Sequence, residues 1–183
     1  PADYEAAADL AGRTPPLPAG EIARIYGRYE EEKRRRGVVD FDDLLALCAV
    51  AVEDDPDSAA AQRWRFRHLF VDEFQDVNPA QFRLLQAWLG PNRDLCVVGD
   101  PNQAIYSWNG ADPTLLTRFD KRFRGAATVS LQDNYRSTPQ ILSVANAVLT
   151  DGSARSAELR ATLADGPVPT VSAYDTDEAE ARG

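Results

Sequence analysis

Residues 69–76 of this sequence, LFVDEFQD, form an apolar run that ends in the paired carboxylates of Asp72 and Glu73. In magnesium-assisted phosphoryl chemistry one carboxylate holds the metal ion, and the next orients or deprotonates the attacking water. The pattern therefore predicts a site for Mg²⁺ and for water activation at the end of a strand. An ordinary acidic turn is the alternative, because Asp-Glu pairs are common.

A second polar loop follows an apolar run in residues 97–111, VVGDPNQAIYSWNGA. The amide of Gln103 is suited to sensing a terminal phosphate or positioning water, as a glutamine does in other nucleotide hydrolases. Tyr106 and Trp108 alternate with small or polar residues, which favours stacking on exposed bases. The alternatives are a turn glutamine and two aromatic side chains that anchor the loop to the core.

A third loop of this kind lies in residues 131–139, LQDNYRSTP. The ring of Tyr135 can stack on a nucleobase, and the guanidinium of Arg136 can neutralise developing phosphate charge. A solvated surface arginine is the alternative. Three such loops along one chain predict a single composite site.

Apolar periodicity and capping signals predict strands and helices that alternate along the chain. The predicted strands are residues 68–71, 95–98, 128–131 and 170–173. The predicted helices are residues 22–36, 40–51, 78–89 and 138–149, with further helices starting near 112 and 175. This order favours an α/β fold with parallel strands and crossover helices, which would bring all three loops to the carboxyl ends of the strands.

Composition limits the function further. The net charge of −9 argues against a protein that grips nucleic acid mainly by neutralising phosphates. Cys48 and Cys96 lie in apolar runs and are expected to be buried, and the single histidine, His68, lacks zinc-type neighbours. The N-terminus has no secretory signal and no apolar run is long enough to span a membrane, so a cytoplasmic location is expected.

Three segments closely resemble motifs II, III and IV of the UvrD/PcrA/Rep group of superfamily 1 DNA helicases: residues 71–76, 98–108 and 131–137. Residues 39–45, VDFDDLL, resemble the block that precedes motif II in the same group. The resemblance covers roughly residues 22–149, and its ordered blocks make it highly specific. It implies a RecA-like parallel sheet with flanking helices, as part of an incomplete motor.

The resemblance also implies roles for individual residues. Asp72 would bind Mg²⁺, Glu73 would activate water, Gln103 would sense the terminal phosphate of ATP, and Arg136 would contact that phosphate. Tyr135 would stack on the adenine. The residues implied to contact single-stranded DNA are Phe41, Tyr106, Trp108 and Asn134. From its sequence position, Phe41 has the alternative of packing back as a staple at a helix start.

Two departures from the family pattern limit these implications. Asn109 stands where many relatives have arginine, so a charged contact near the DNA track is expected to be absent. No G-x-x-x-x-G-K-[ST] P-loop occurs in the sequence, so the lysine and hydroxyl that hold phosphates and Mg²⁺ are missing. The chain is therefore expected to be an internal piece of a longer helicase that hydrolyses little or no ATP alone.

The expected organisation has three parts. Residues 1–38 are a helical segment from an accessory insertion, 39–150 are a partial RecA-like motor domain, and 151–183 are a linker and the start of the second motor domain. The resemblance implies a 3′ to 5′ helicase that couples ATP hydrolysis to translocation on single-stranded DNA and to duplex unwinding in repair or replication. It would require the remainder of the helicase chain. The alternatives are a non-catalytic DNA- or protein-binding module and the motor half of a helicase-nuclease.

Overall fold

The protein forms two compact units, and its computed structural model describes residues 4–10, 14–151 and 159–182. The first unit comprises residues 1–72, 77–98 and 109–111, and the second comprises 73–76, 99–108 and 112–183. Among these described residues, each unit has one pair of parallel strands. This confirms the expected α/β fold of RecA-like type, with sheets that are small and incomplete. The expected boundary after 150 runs into residues 152–158, which lie outside the described residues.

Helices dominate the first unit. In chain order its elements are α1 Tyr4–Leu10, α2 Ala19–Arg36, α3 Phe41–Asp54, α4 Pro56–Arg65, β1 Leu69–Val71, α5 Pro79–Leu89 and β2 Leu95–Val97. The strands β1 and β2 pair in parallel, with Leu69 opposite Leu95 and Val71 opposite Val97. Parallel strands need a crossover connection, and α5 supplies it.

The ends of these helices follow from local chemistry. α2 ends at Gly37, whose φ of 65° lies in the left-handed region that glycine adopts without strain. α3 begins with a capping box, in which the Asp40 carboxylate accepts from the backbone N–H of Asp43 and the Asp43 carboxylate accepts from that of Asp40. Asn78 and Gln81 form the same box at the start of α5. These ends confirm the predicted boundaries.

The core of the first unit lies where α3 and α4 pack against α5. Buried alanines, Ala49 on α3 and Ala59 on α4, allow the helix backbones to approach closely. The side chain of Arg63 extends from α4 to the end of α5, where it donates hydrogen bonds to the carbonyls of Ala87 and Trp88 at 2.6 and 3.2 Å. A guanidinium therefore caps carbonyls that the helix leaves unpaired.

A buried lysine joins α2 to α3. The ammonium of Lys33 lies 2.7 Å from Asp43, 2.8 Å from Glu30 and 2.9 Å from Asp40, and Tyr29 donates a hydrogen bond to Asp40 at 2.7 Å. Burial alone would lower the pKa of Lys33, but hydrogen bonds to Asp43, Glu30 and Asp40 outweigh it and raise that pKa. Hydrogen bonds from the Asp43 backbone, Lys33 and Tyr29 hold the Asp40 pKa well below its usual range.

The second unit is built from shorter elements. Its helices and strands are α6 Thr114–Thr117, α7 Phe119–Arg122, β3 Asp133–Asn134, α8 Pro139–Asp151, β4 Arg160–Ala161 and α9 Asp177–Glu180. 3₁₀ turns occur at Phe74–Asp76 and Pro101–Gln103. Phe74 is fully buried and meets the ring of Phe119 edge-on at 5.7 Å between centroids. This aromatic contact fixes the turn that follows Asp72-Glu73 along the chain.

Two predicted strands are wrong. Residues 128–131 are not a strand, and β3 begins only at Asp133, because β4 pairs with Asp133–Asn134 alone. Val129 and Leu131 are consequently 79% and 80% exposed. Residues 170–173 are also not a strand and belong to no ladder among the described residues. In each case β-propensity was present, but a strand needs a neighbour that accepts its hydrogen bonds.

The structure also differs from the sequence-based expectations in three other features. Helix α4, which begins after the cap Asp55 and ends at Arg65, was not predicted. The last helix, predicted to start near 175, is the single turn α9, which is capped by Thr176. Cys48 and Cys96, expected to be buried, are exposed free thiols. Within the part of the chain that the structure describes, no helix has the length and apolarity needed to cross a bilayer.

Replacing the buried lysine tests the link between α2 and α3. We expect Lys33→Met to lower the melting temperature at pH 7, because Glu30, Asp40 and Asp43 lose their shared counter-charge. The Asp40 contribution is present above its unfolded pKa, about 3.9, and is lost as pH falls. The Lys33 contribution is present below its unfolded pKa, about 10.4, and is lost as pH rises through the raised folded value.

The difference in melting temperature between wild type and Lys33→Met should therefore be largest between about pH 4 and pH 10 and shrink below pH 4. Thermal unfolding followed by circular dichroism across this range measures it. Lys121→Met, which removes the other lysine of the chain from an exposed position, is the control. A loss that is equal at every pH would contradict the electrostatic account.

Candidate functional site

The carboxylate pair lies where β1 ends. Asp72 is exposed directly after the strand, and Glu73 opens the 3₁₀ turn Phe74–Asp76. Glu73 has a φ of 51°, and it is the one non-glycine residue with positive φ in the part of the chain that the structure describes. A backbone held in this region is strained and persists only where its surroundings fix it, which is common at functional sites.

Gln75 supplies that support from within the same turn. Its side chain is 1% exposed, and its amide nitrogen donates to the Glu73 carboxylate at 2.6 Å. Its carbonyl oxygen accepts the backbone N–H of Asp100 at 3.0 Å. A longer contact of 3.4 Å joins the amide nitrogen to Asp76. The sequence did not single out Gln75, because a buried amide has no distinctive pattern in a single sequence.

Gly99 leaves the space that this contact needs. A Cβ atom at position 99 would lie 2.5 Å from the Gln75 carbonyl oxygen and 3.1 Å from the backbone nitrogen of Phe74. The next residue, Asp100, accepts the backbone N–H of Asn102 and the side-chain amide of Gln103, both at 2.9 Å. Gln103 is therefore held in the loop by Asp100, another residue that the sequence analysis missed.

The third loop is organised by Asn134. Its side-chain oxygen accepts the backbone N–H groups of Arg136 at 3.0 Å and Ser137 at 2.8 Å, so it closes a turn after β3. Tyr135 is 74% exposed within this turn, and Arg136 is also exposed. The side-chain oxygen of Asn134 therefore has a clear structural role, whereas its implied contact with DNA stays a prediction.

One open cavity of the second unit brings two of the predicted loops together. It has a volume of about 480 Å³, and its lining residues are Asp100, Gln103, Leu131, Asp133, Asn134, Tyr135, Arg136 and Leu159. The lining combines carboxylates, an amide, a guanidinium and an aromatic ring. Of these groups, the ring can stack on a base, and the guanidinium and the amide can donate hydrogen bonds to phosphate oxygens. The volume is within the range of small-molecule sites.

The remaining aromatic residues of the prediction are exposed. Tyr106 and Trp108 lie in one loop with ring centroids 6.1 Å apart and planes inclined by 55°. Trp108 is 74% exposed, which removes the alternative that it anchors the loop to the core. Phe41 is 87% exposed at the first position of α3, so the alternative of a packed staple is wrong. Tyr106, Trp108 and Phe41 are thus accessible to a partner.

The Asp72 carboxylate at the end of β1 has the chemistry to hold Mg²⁺, which usually takes one or two carboxylates while keeping water and substrate phosphates as its other ligands. Among the described residues, the group of three carboxylates close enough to share a cation is Glu30, Asp40 and Asp43, where the Lys33 ammonium already lies. That cluster is an ion-pair network.

The fold is of the α/β class, with small parallel sheets, and comparison with known proteins defines its family. A family model, the UvrD/REP helicase N-terminal domain, matches residues 7–124. The chain is 45% identical over 188 residues to ATP-dependent DNA helicase UvrD2 of Mycobacterium tuberculosis, covering 99% of the chain and 27% of that protein. The chain belongs to the UvrD/REP helicase family.

Further relatives agree with this assignment. A putative ATP-dependent DNA helicase of Bacillus subtilis, YjcD, is 38% identical over 87% of the chain and 21% of its own length. ATP-dependent DNA helicase PcrA of Staphylococcus aureus is 38% identical over 73% of the chain and 18% of its own length. The chain therefore spans about a quarter or less of the length of these relatives.

Adding one methyl group at Gly99 tests the close approach at the centre of this site. We expect Gly99→Ala to lower the free energy of unfolding by about 1–3 kcal/mol, because the methyl group overpacks against Gln75 and the Phe74 backbone. Chemical denaturation measures the change. Gly20→Ala on α2, where a Cβ meets nothing within 4 Å, is the matched control and should be neutral or slightly stabilising. Equal stabilities of the two variants would contradict the packing described here.

Proposed function

We propose that the chain is part of the first motor domain of an ATP-dependent DNA helicase and carries that motor's water-activating and phosphate-sensing residues. The proposal rests on one observation above others: Gln103, Tyr135 and Arg136 line one cavity, and Glu73 is hydrogen-bonded through Gln75 to the loop that carries Gln103. The similarity of the chain to proteins named ATP-dependent DNA helicases supports it.

In this proposal each residue of the site has one task. Tyr135 stacks on the adenine, and Arg136 neutralises charge that develops on the terminal phosphate. Gln103 can donate a hydrogen bond to that phosphate, because an amide nitrogen has two protons and Asp100 accepts only one. Glu73 accepts the proton of the attacking water. Asp72 is the residue that would hold Mg²⁺, which supplies charge neutralisation at the phosphates when bound.

The exposed aromatic residues form the nucleic-acid part of the proposal. We assign Tyr106, Trp108 and Phe41 to stacking against bases of single-stranded DNA, with Asn134 as a polar contact. Stacking does not require a basic surface, so a net charge of −9 is compatible with it. Asn109, next to Trp108, lacks the positive charge that many family members carry there. DNA binding at this point would therefore depend on stacking by the aromatic rings.

The longer protein would supply what these residues do not contain. A P-loop to cradle the phosphates is absent from the sequence, so ATP turnover would require the remainder of the helicase chain. In our proposal residues 1–38 belong to an accessory insertion, 39–150 to the first motor domain and 151–183 to the entry into the second. The helicase would move 3′ to 5′ on single-stranded DNA, unwind duplexes in repair or replication, and act in the cytoplasm.

Replacing the proposed base tests the enzymatic part. In the full-length protein Glu73→Gln should lower the kcat of DNA-stimulated ATP hydrolysis by about 10²- to 10⁴-fold, because the amide keeps the shape but cannot accept the proton. The affinity for a fluorescent ATP analogue should remain. Glu178→Gln, at an exposed carboxylate on α9, is the control. Hydrolysis that survives in Glu73→Gln would exclude Glu73 as the base.

Two exposed tryptophans allow a matched test of DNA binding. Trp108 and Trp64 are 74% and 72% exposed, but Trp64 lies on α4, outside the three loops. We expect Trp108→Ala to weaken single-stranded DNA binding by about 1–3 kcal/mol, or roughly 5- to 150-fold in Kd, through the loss of one stacked base. Trp64→Ala should leave Kd unchanged. Fluorescence anisotropy with a labelled oligonucleotide measures both, and equal effects would contradict the assignment.

A further inference from the structure

The side chain of Gln75 makes hydrogen bonds that none of the roles given above to other residues explains. It is buried, yet each end of its amide has a partner: the Glu73 carboxylate at 2.6 Å and the backbone N–H of Asp100 at 3.0 Å. The hydrogen-bonding partners also decide which end of the amide is the nitrogen and which is the oxygen. The reverse orientation would place the amide carbonyl against the carboxylates of Glu73 and Asp76 and the amide nitrogen against an N–H donor.

We propose that Gln75 is a positioning residue, which holds the Glu73 carboxylate for proton transfer and couples it to the loop that carries Gln103. The inference rests on the proposed function, because it gives Glu73 the part of the base. Gln75 itself touches neither water nor nucleotide in this proposal and acts only through Glu73 and Asp100.

Glu73 needs such support for two reasons. Its backbone has a φ of 51°, a region that a non-glycine residue occupies only when neighbours hold it there. Its side chain is long and exposed, so several rotamers would be open to it without a fixed partner. The hydrogen bond from Gln75 supplies a fixed partner for one oxygen of the Glu73 carboxylate. Holding a base within a few tenths of an ångström is what efficient proton transfer requires.

The carbonyl end of the Gln75 amide couples Glu73 to the loop that carries Gln103. Asp100 donates its backbone N–H to Gln75 and accepts the side-chain amide of Gln103 at 2.9 Å. Three hydrogen bonds therefore connect Glu73 to Gln103 through Gln75 and Asp100. Gly99 keeps this connection tight, because any side chain at that position would meet the Gln75 carbonyl oxygen. A shift of Gln103 at the phosphate would be transmitted to the base through these bonds.

The test measures ATP hydrolysis by the full-length protein with two substitutions at one position. Gln75→Ala removes both hydrogen bonds and should lower kcat by about 100-fold, with little change in the KM for ATP, since the base remains present but is no longer held. Gln140→Ala is the matched control. Gln140 also accepts a backbone N–H, that of Gly166 at 2.8 Å, but it has no bond to Glu73 among the described contacts, and its kcat should match wild type.

Gln75→Glu separates positioning from a merely structural role. An ionised carboxylate at position 75 has nearly the shape of the amide and can still accept the backbone N–H of Asp100, but it has no proton to donate to Glu73. The kcat of Gln75→Glu should therefore fall at least as far as that of Gln75→Ala, with little change in the KM for ATP. Circular dichroism at the assay temperature confirms that each variant is folded.

The outcomes are distinct. Wild-type kcat in folded Gln75→Ala, or in Gln75→Glu, would overturn the positioning role while leaving the proposed function intact. If Gln75→Ala does not fold, the kcat of Gln75→Glu decides. No turnover by the wild-type full-length protein, with ATP, Mg²⁺ and single-stranded DNA present, would overturn the proposed function and this inference with it.

Discussion

A buried amide must keep its hydrogen bonds, and this constraint governs the candidate site. Gln75 is almost completely removed from solvent, so leaving either end of its amide unpaired would cost the desolvation penalty of that group, about 1–3 kcal/mol. The hydrogen bonds of Gln75 therefore fix the position of the turn after Asp72-Glu73 relative to the loop from Gly99 to Gln103. The positive φ of Glu73 is tolerable because this contact and the burial of Phe74 hold the turn.

In the first unit, a buried charged group must likewise keep its partners. Lys33 lies among three carboxylates at the point where α2 ends and α3 begins, and the capping box of Asp40 and Asp43 uses two of the same carboxylates. One network therefore fixes the start of α3 and keeps a buried ammonium paired. Phe41, the first residue of α3, is exposed on this rigid support, which lowers the entropy that a stacking contact would cost.

Much of this could be predicted from the sequence because the signals were local. Asp40, Asn78 and Gly37 mark helix ends through chemistry that involves only nearby residues, and the structure has those ends as expected. The family resemblance, too, depends on residue order alone, and the family is confirmed. The loops with Gln103 and with Tyr135-Arg136 line one cavity, but the strand predicted at 128–131, which was expected to position the second of these loops, is absent.

The failures concern contacts between residues distant in sequence. Residues 128–131 have the composition of a strand, but only Asp133–Asn134 find a partner in β4, which itself shows no sequence periodicity. Cys48 and Cys96 lie in apolar runs yet are exposed, because an apolar run does not say which of its residues a neighbour covers. Gln75 and Asp100 were missed for the same reason, since their importance lies in a bond across 25 residues. Local patterns do not contain such information.

The central claim is that Glu73, Gln103 and Arg136 act on one terminal phosphate. A crystal structure of the full-length protein with Mg²⁺ and a non-hydrolysable ATP analogue measures this most directly. The account predicts that Gln103 and Arg136 lie within hydrogen-bond distance of oxygens of that phosphate, and that a water between the phosphate and Glu73 is bound to the Glu73 carboxylate. A nucleotide bound away from the cavity of the second unit, with Glu73 turned from its terminal phosphate, would contradict it.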